Sequence, residues 1–322
     1  MHLQFLTWQF ILQSLQQHIP VMLLYVIESK GSSPGRQGFM MAVNSRNEMS
    51  GSVGGGIMEH KFVELAKSKL LAAEKKTTTH QQFHDKAAAR NQSGMICSGE
   101  QTIFMYPVQE HDQETIGELI RSLEKNQNGS LQLSRHGIRF NRHIPEADFQ
   151  LEKMDDQHFQ YTAKTGYLHH LYIIGGGHVA LALSQLMSNL DFLIHLVEER
   201  SGLHTLQQNN YVHEKITVGD YAETGIHIPP GKNIYVVVMT VGYRTDKTAL
   251  ISLLGKEIKY LGILGSKTKM KKMFSELLEE KIDPVVLTSI HAPLGISIKS
   301  ETPQEIAISI AAEIIRVKNR NF

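Results

Sequence analysis

Leu171-Tyr172-Ile173-Ile174-Gly175-Gly176-Gly177-His178-Val179-Ala180 decides the fold of the second half of this chain. A short apolar run leads into G-x-G-x-x-A, and helical periodicity from His178 to Asn189 follows. The glycines suit a tight strand-to-helix turn whose backbone comes close to a pyrophosphate, while Ala180 lets the helix pack on the strand. An acid ending the next strand should then reach a ribose hydroxyl, and Glu198 lies 23 residues beyond Gly175. Gly175, Gly176, Gly177, His178 and Glu198 are thus candidates for binding NAD(P) or a related phosphate-bearing ligand. The competing reading is a Rossmann-like turn that binds something else or nothing.

Downstream, Phe192 to Val197, Lys215 to Val218, Ile234 to Met239 and Leu261 to Leu264 are short apolar runs separated by helix-length segments. That alternation predicts a parallel sheet with helices on both faces. Two strand ends carry basic residues, Thr240-Val241-Gly242-Tyr243-Arg244-Thr245-Asp246 and Gly265-Ser266-Lys267-Thr268-Lys269. Open α/β sheets bind ligands at this edge, where Arg244, Lys267 and Lys269 can pair with phosphate oxygens. Solvated helix starts are the plainer reading of each lysine. Thr302-Pro303-Gln304-Glu305 predicts a capping box opening a last helix.

Upstream, the pattern gives a helix from Gln4 to Gln17 and strands Val21 to Glu28 and Phe39 to Val43. Gly51-Ser52-Val53-Gly54-Gly55-Gly56 then opens a helix from Ile57 to Ala73. Gly54, Gly55 and Gly56 can form an anion nest at that helix's positive end, close to Glu59; no Gly-Lys-Ser/Thr follows, so this is not a Walker A loop and nucleotide hydrolysis loses its main support, and a tight strand-to-helix connection is the plainer reading. Thr77 to Phe83 and Gln101 to Val108 read as strands, Glu114 to Lys125 as a helix, and Ser130 to Thr165 as short antiparallel strands. Cys97, in a glycine-flanked loop near His84 and Asp85, is either a buried small hydrophobe or a thiolate able to bind a soft metal or carry sulfur.

The chain's 322 residues correspond to about two domains. Hydrophobic residues at 41% and charged residues at 20% exclude collagen-like and disordered classes. A net charge of +1 leaves no global field for nucleic acid or an anionic bilayer. No apolar stretch approaches the roughly 20 residues of a spanning helix, and the first residues lack a basic leader, so no membrane association is expected. The 17 histidines form no H-E-x-x-H, and Cys97 is the single cysteine, so no intrachain disulfide forms and a cytoplasmic setting is expected.

Taken in order, Gly31-Ser32-Ser33-Pro34, Gly51 to Gly56 with Glu59, Cys97-Ser98-Gly99, Ile174 to Ala180, Gly262-Ile263-Leu264-Gly265-Ser266-Lys267 and His291-Ala292-Pro293-Leu294-Gly295 resemble the XdhC/CoxI family of xanthine dehydrogenase maturation factors. The resemblance implies an α/β protein, with a mixed-sheet XdhC/CoxI-type domain over residues 1–165 and a Rossmann-like parallel-sheet domain over 166–322. It further implies a homodimeric, non-catalytic carrier that binds molybdenum cofactor (molybdopterin) as cargo. The carrier delivers it, sulfurated, to a xanthine dehydrogenase-type molybdenum hydroxylase, with a cysteine desulfurase as a further partner. On this reading a cleft between the domains holds the pterin phosphate on one or both glycine loops, with Cys97 near the molybdenum or its sulfur. Gly265, Ser266, Lys267 and Arg244 join the cofactor-binding set, and no residue is assigned a catalytic role. Three positions depart from the family pattern: Ile57 replaces a frequent Cys, Val241 a His or Arg, and Glu198 the usual Asp. An NAD(P)-dependent oxidoreductase is the alternative, and a regulatory protein with purely structural glycine loops a third.

Overall fold

The computed structural model describes residues 3–83, 99–153 and 159–319; Cys97, His84 and Asp85 lie outside the described residues. The chain separates into two compact units, His2–Gly166 and Tyr167–Phe322.

The first unit runs α1 (Leu3–Gln16), β1 (Val21–Gly31), β2 (Met40–Asn44), β3 (Met49–Gly51), α2 (Gly56–Leu71), β4 (Thr78–Phe83), β5 (Gly99–Pro107), α3 (Gln113–Glu124), β6 (Gly129–Ser134), β7 (Gly137–Asn141), β8 (Phe149–Lys153) and β9 (Phe159–Thr165). Five strands pair in the order β3-β2-β1-β5-β4 and four in the order β7-β6-β9-β8, with every pairing antiparallel. Successive side chains of a strand point to opposite faces, so β1 serves two cores. Val21, Leu23, Tyr25 and Ile27 pack with α1, α3 and the smaller sheet. Met22, Leu24 and Val26 pack with Met58, Phe62 and Ala66 of α2. This arrangement sends the carboxyl end of β1 and the start of α2 into glycine-rich turns on one side of the larger sheet.

The second unit runs β10 (His169–Ile174), α4 (His178–Met187), β11 (Phe192–Glu198), α5 (His204–Gln208), β12 (Glu214–Thr217), α6 (Thr224–His227), β13 (Gly231–Val238), α7 (Tyr243–Ile251), β14 (Ile258–Ile263), α8 (Lys267–Glu279), α9 (Pro284–Thr288) and α10 (Pro303–Lys318). Its five strands are parallel in the order β12-β11-β10-β13-β14, so the winding reverses between β10 and β13. Leu171 and Ile173 face α4 and α10, while Tyr172 and Ile174 face α7 and α8. The expected capping box forms: Thr302 Oγ1 accepts from the Glu305 amide at 3.3 Å, and Glu305 Oε2 accepts from the Thr302 amide at 3.0 Å.

Three strands carry polar residues across one face of this sheet. Glu214 Oε2 lies 2.7 Å from His195 Nδ1, and His195 Nε2 lies 3.2 Å from His170 Nδ1. His195 also stacks on Tyr172. Burial, reinforced by His195, pushes His170 from its ordinary value near 6.5 down to about 4, and burial does the same to His213. Between those values the unfolded chain takes up protons that the folded chain refuses, so stability falls as the pH drops through this window. His170→Phe, which keeps an aromatic ring but cannot titrate, should flatten the dependence of the urea midpoint on pH between 6.5 and 4; an unchanged slope would show that His170 does not contribute.

Candidate functional site

In the Rossmann-like domain the glycine turn follows β10 and opens α4. Gly175 has φ +104°, and a Cβ there would sit 2.4 Å from the Met239 carbonyl oxygen, so only glycine fits. Gly176 is fixed by Glu198, whose Oε2 accepts from its amide at 2.6 Å. Gly177 differs from both. Its φ of −72° suits any residue, and a Cβ would meet nothing within 4 Å. Gly242, at the start of α7 and the end of the adjacent β13, has the same freedom: extended backbone and no atom within 4 Å of an added Cβ. Neither helix start has a side-chain cap, and His178 and Arg244 stand exposed beside them. Two uncapped helix N-termini with open space above their glycines therefore flank the point where the winding reverses, the place where open α/β sheets take anionic ligands.

Glu198 occupies a different position from the one its spacing suggests. It is 1% exposed, and its carboxylate accepts from the Gly176, Glu199 and Arg200 amides, from Arg200 Nε and Nη2, and from the Tyr221 hydroxyl, at 2.6–3.0 Å. Burial opposes its ionisation, but the Arg200 guanidinium, the two amides and Tyr221 outweigh burial and hold it down at about 2. A ribose hydroxyl would find this carboxylate already saturated. Arg200 and Tyr221, which do the saturating, carry no signal in the sequence pattern.

At the neighbouring strand ends, Asp246 is fully buried. Its Oδ1 accepts from the Thr240 amide at 2.8 Å and the Thr240 hydroxyl at 2.6 Å, and its Oδ2 pairs with Lys269 Nζ. Lys269, expected to meet phosphate, is thus committed within the protein. Ser266 caps α8 by accepting from the Lys269 amide at 3.2 Å, Gly265 packs against the Lys269 and Met270 side chains, and Lys267 is exposed. The His291–Gly295 loop is held by Glu313, which accepts from the Gly295 amide at 2.8 Å and the Tyr260 hydroxyl at 2.8 Å and lies 3.2 Å from His291 Nδ1. Nothing in the spacing of the sequence singles out Glu313.

The first domain builds its glycine loop on the same principle. Glu59 Oε2 accepts from the Ser52 hydroxyl at 2.6 Å, the Val53 amide at 2.9 Å and the Gly55 amide at 3.0 Å, so a carboxylate of the chain already sits in the expected nest. Gly54, with φ +128°, lies against Gly35, where a Cβ would come within 2.5 Å of the amide nitrogen. Gly55 and Gly56 also have positive φ, at 72° and 70°. Buried Gln101 completes the assembly: its Oε1 accepts from the Ser33 hydroxyl at 2.7 Å and the Gly35 amide at 3.2 Å, while its Nε2 donates to Met58 Sδ. The Gly31–Gly35 loop, the glycine loop before α2 and Gly99 therefore meet at one place. Among the described residues no group of three or more His, Cys, Asp or Glu could hold a metal ion, and no helix is long and apolar enough to cross a membrane.

Residues 171–314 match the XdhC Rossmann domain, and residues 14–82 match the XdhC and CoxI family. This chain belongs to the XdhC and CoxI family. Over 312 residues, 94% of its length, it is 26% identical to the uncharacterized protein YqeB of Escherichia coli, covering 44% of that protein. Over 84 residues, 26% of its length, it is 37% identical to a probable xanthine dehydrogenase subunit of Bacillus subtilis, covering 23% of that protein. The chain thus spans less than half the length of these curated relatives. A crystal structure described as a xanthine dehydrogenase from Bacillus halodurans shares the fold, with a TM-score of 0.71, 22% identity and 98% and 97% of the two chains covered. In the XdhC Rossmann domain of this chain, the glycines at the starts of α4 and α7, Gly177 and Gly242, are open, and Glu198 is closed.

Replacing Glu198 by Gln should remove on the order of 3 kcal/mol of stability at pH 7, the linkage value of a carboxyl held this far below its ordinary range. That contribution is complete above about 4.5, the ordinary value, and is lost as the pH falls toward 2. Denaturant unfolding of both proteins across this window should show the difference shrinking with acidity; a constant difference would mean that the charge is not the source.

Proposed function

We propose that this chain is an accessory protein of a xanthine dehydrogenase-type molybdenum hydroxylase, which carries molybdenum cofactor as cargo and passes it on in its sulfurated form. The open cradle above Gly177 carries this reading. Nothing in the local backbone or packing requires glycine there, whereas close approach of a phosphate to the first amides of α4 does. Gly242 and the exposed Arg244 extend the same cradle, and Arg244 supplies the charge-assisted bonds a phosphate takes. The xanthine dehydrogenase name of the Bacillus subtilis relative supports the choice of partner enzyme.

Glu198 and Gly175 shape the turn, and the α4 and α7 amides bind the anion. Asp246 with Lys269 holds the adjoining strand ends in place, and Cys97 is the proposed contact to the molybdenum or its sulfur, since a thiolate is a soft ligand. A cysteine desulfurase would be the sulfur source. The NAD(P)-dependent oxidoreductase reading is weaker because Glu198 has no lone pair to offer an adenosine ribose.

Calorimetric titration with molybdopterin, and separately with NADH and NADPH, tests the choice. Gly177→Val should change stability by about 1 kcal/mol or less, as a substitution at an uncapped helix start, and weaken molybdopterin binding at least tenfold, about 1.4 kcal/mol. Equal affinity of the folded variant and the wild type would remove this loop from the site. Tight NADH binding abolished by Glu198→Ala would favour the oxidoreductase.

A further inference from the structure

A cavity of about 500 Å³ opens in the first unit, and no acid lines it among the described residues. Lys75, Lys76, Thr77 and Thr79 come from the end of α2 and the start of β4, Arg135 from the turn between β6 and β7, and Phe159 from the start of β9. The three cations are exposed, whereas the two threonines and Phe159 are half-buried. Helix α2 ends before Ala73, whose φ of +50° turns the chain toward β4 and leaves both lysines in the link between them.

Neither lysine is compensated from within. Glu74, the acid nearest in sequence, is taken by Lys69 at 2.7 Å. Elsewhere in this unit Lys30, Lys67, Lys153 and Lys164 each reach a carboxylate. Among the described residues Lys75 and Lys76 have no ion-pair partner. The frame around them is held in place. The Thr77 hydroxyl donates to the Arg135 carbonyl at 3.4 Å, which ties the link to the hairpin, and Ser134 Oγ accepts from the His136 amide at 3.2 Å within that turn. Phe159 packs edge-to-face with Phe104, ring centres 5.5 Å apart. Thr79 stands opposite Phe104 in the β4–β5 ladder, so its side chain lies on the Phe159 side of the sheet.

We propose that this cavity binds a nucleoside monophosphate. The dianionic phosphate takes the two ammonium groups and the guanidinium, with threonine hydroxyls as further donors, and the base packs on the Phe159 ring. The volume falls within the roughly 300–1,000 Å³ of small-molecule sites. A longer polyanion would need a field beyond the cavity, which a net charge of +1 does not supply. Exposed cations give modest energy each, so the affinity is moderate and falls with salt. The inference does not rest on the proposed function, since every residue it uses belongs to the first unit.

Calorimetric titration of the full chain with AMP, adenosine and inorganic phosphate tests it, with circular dichroism to confirm folding of each variant. The titrations are run on Gly177→Val as well as on the wild type, so that phosphate taken at the start of α4 is told apart. In about 50 mM salt AMP should bind both proteins with a dissociation constant on the order of 0.1–1 mM, and at least about fivefold more weakly in about 500 mM salt. Adenosine and phosphate should each bind at least about tenfold more weakly than AMP, because each makes half of the contacts. Lys75→Ala/Lys76→Ala should weaken AMP at least about fivefold, and Phe159→Leu should bring AMP down to the level of phosphate. No saturable binding of AMP to Gly177→Val, AMP no tighter than phosphate, or a folded Lys75→Ala/Lys76→Ala chain that binds AMP as the wild type does would each overturn the proposal.

Discussion

The Glu198 carboxylate ties together the edge of the parallel sheet on which the candidate site stands. It lies at the end of β11, yet it holds the amide of Gly176 on the neighbouring turn and collects Arg200 and Tyr221 around itself. Because a buried carboxylate without partners is strongly unfavourable, every one of those donors is bound to its place. Gly175 is fixed in turn by its approach to the Met239 carbonyl, so the turn is clamped from both neighbouring strands. The rigidity is what leaves Gly177 free: with its two predecessors fixed, the third glycine needs no internal contact.

The same device recurs at three other glycine-containing loops. Glu59 takes the amides of Val53 and Gly55, Asp246 takes that of Thr240, and Glu313 takes that of Gly295. In each case an acid from the following helix reaches back to a loop amide. A carboxylate oxygen accepts several donors at once, which suits it to loops whose amides have no ladder or helix partner. Such loops look from the sequence like empty anion sites, and several are already filled from within. The pattern separates the closed nest at Glu59 from the open cradle at Gly177, although the two read alike as strings of glycine.

Much of the fold was legible because it rests on periodicity. The apolar runs that become β10, β11 and β13 are buried on both faces, as inner parallel strands must be, whereas Lys215 to Val218 becomes the largely exposed edge strand β12; the glycine turn sits where strand passes to helix. In the first domain the alternating segment from Ser130 to Thr165 does become antiparallel strands, with Leu131, Leu133, Tyr161 and Ala163 turned inward. Its pairing partners were not legible, because a period of two names a buried face and not the strand beside it. The site was read less well. Spacing located an acid at Glu198 but could not tell which way its lone pairs face, since that depends on Arg200 and Tyr221. Gln101 meets Ser33 across 68 positions of chain, and Lys269 meets Asp246 across 23; contacts of that kind leave no local trace.

Glu313 gives the second domain a mechanical property as well as a local one. It belongs to α10, whose inner face packs with α4 through Ile310 and Ile314, while its carboxylate holds Gly295 and His291. The loop and the helix therefore open and close as one cooperative unit, and the start of α4 shares its packing. Exchange of the Gly295 amide with solvent is thereby coupled to undocking of α10, so the stability of the loop is that of the helix rather than its own.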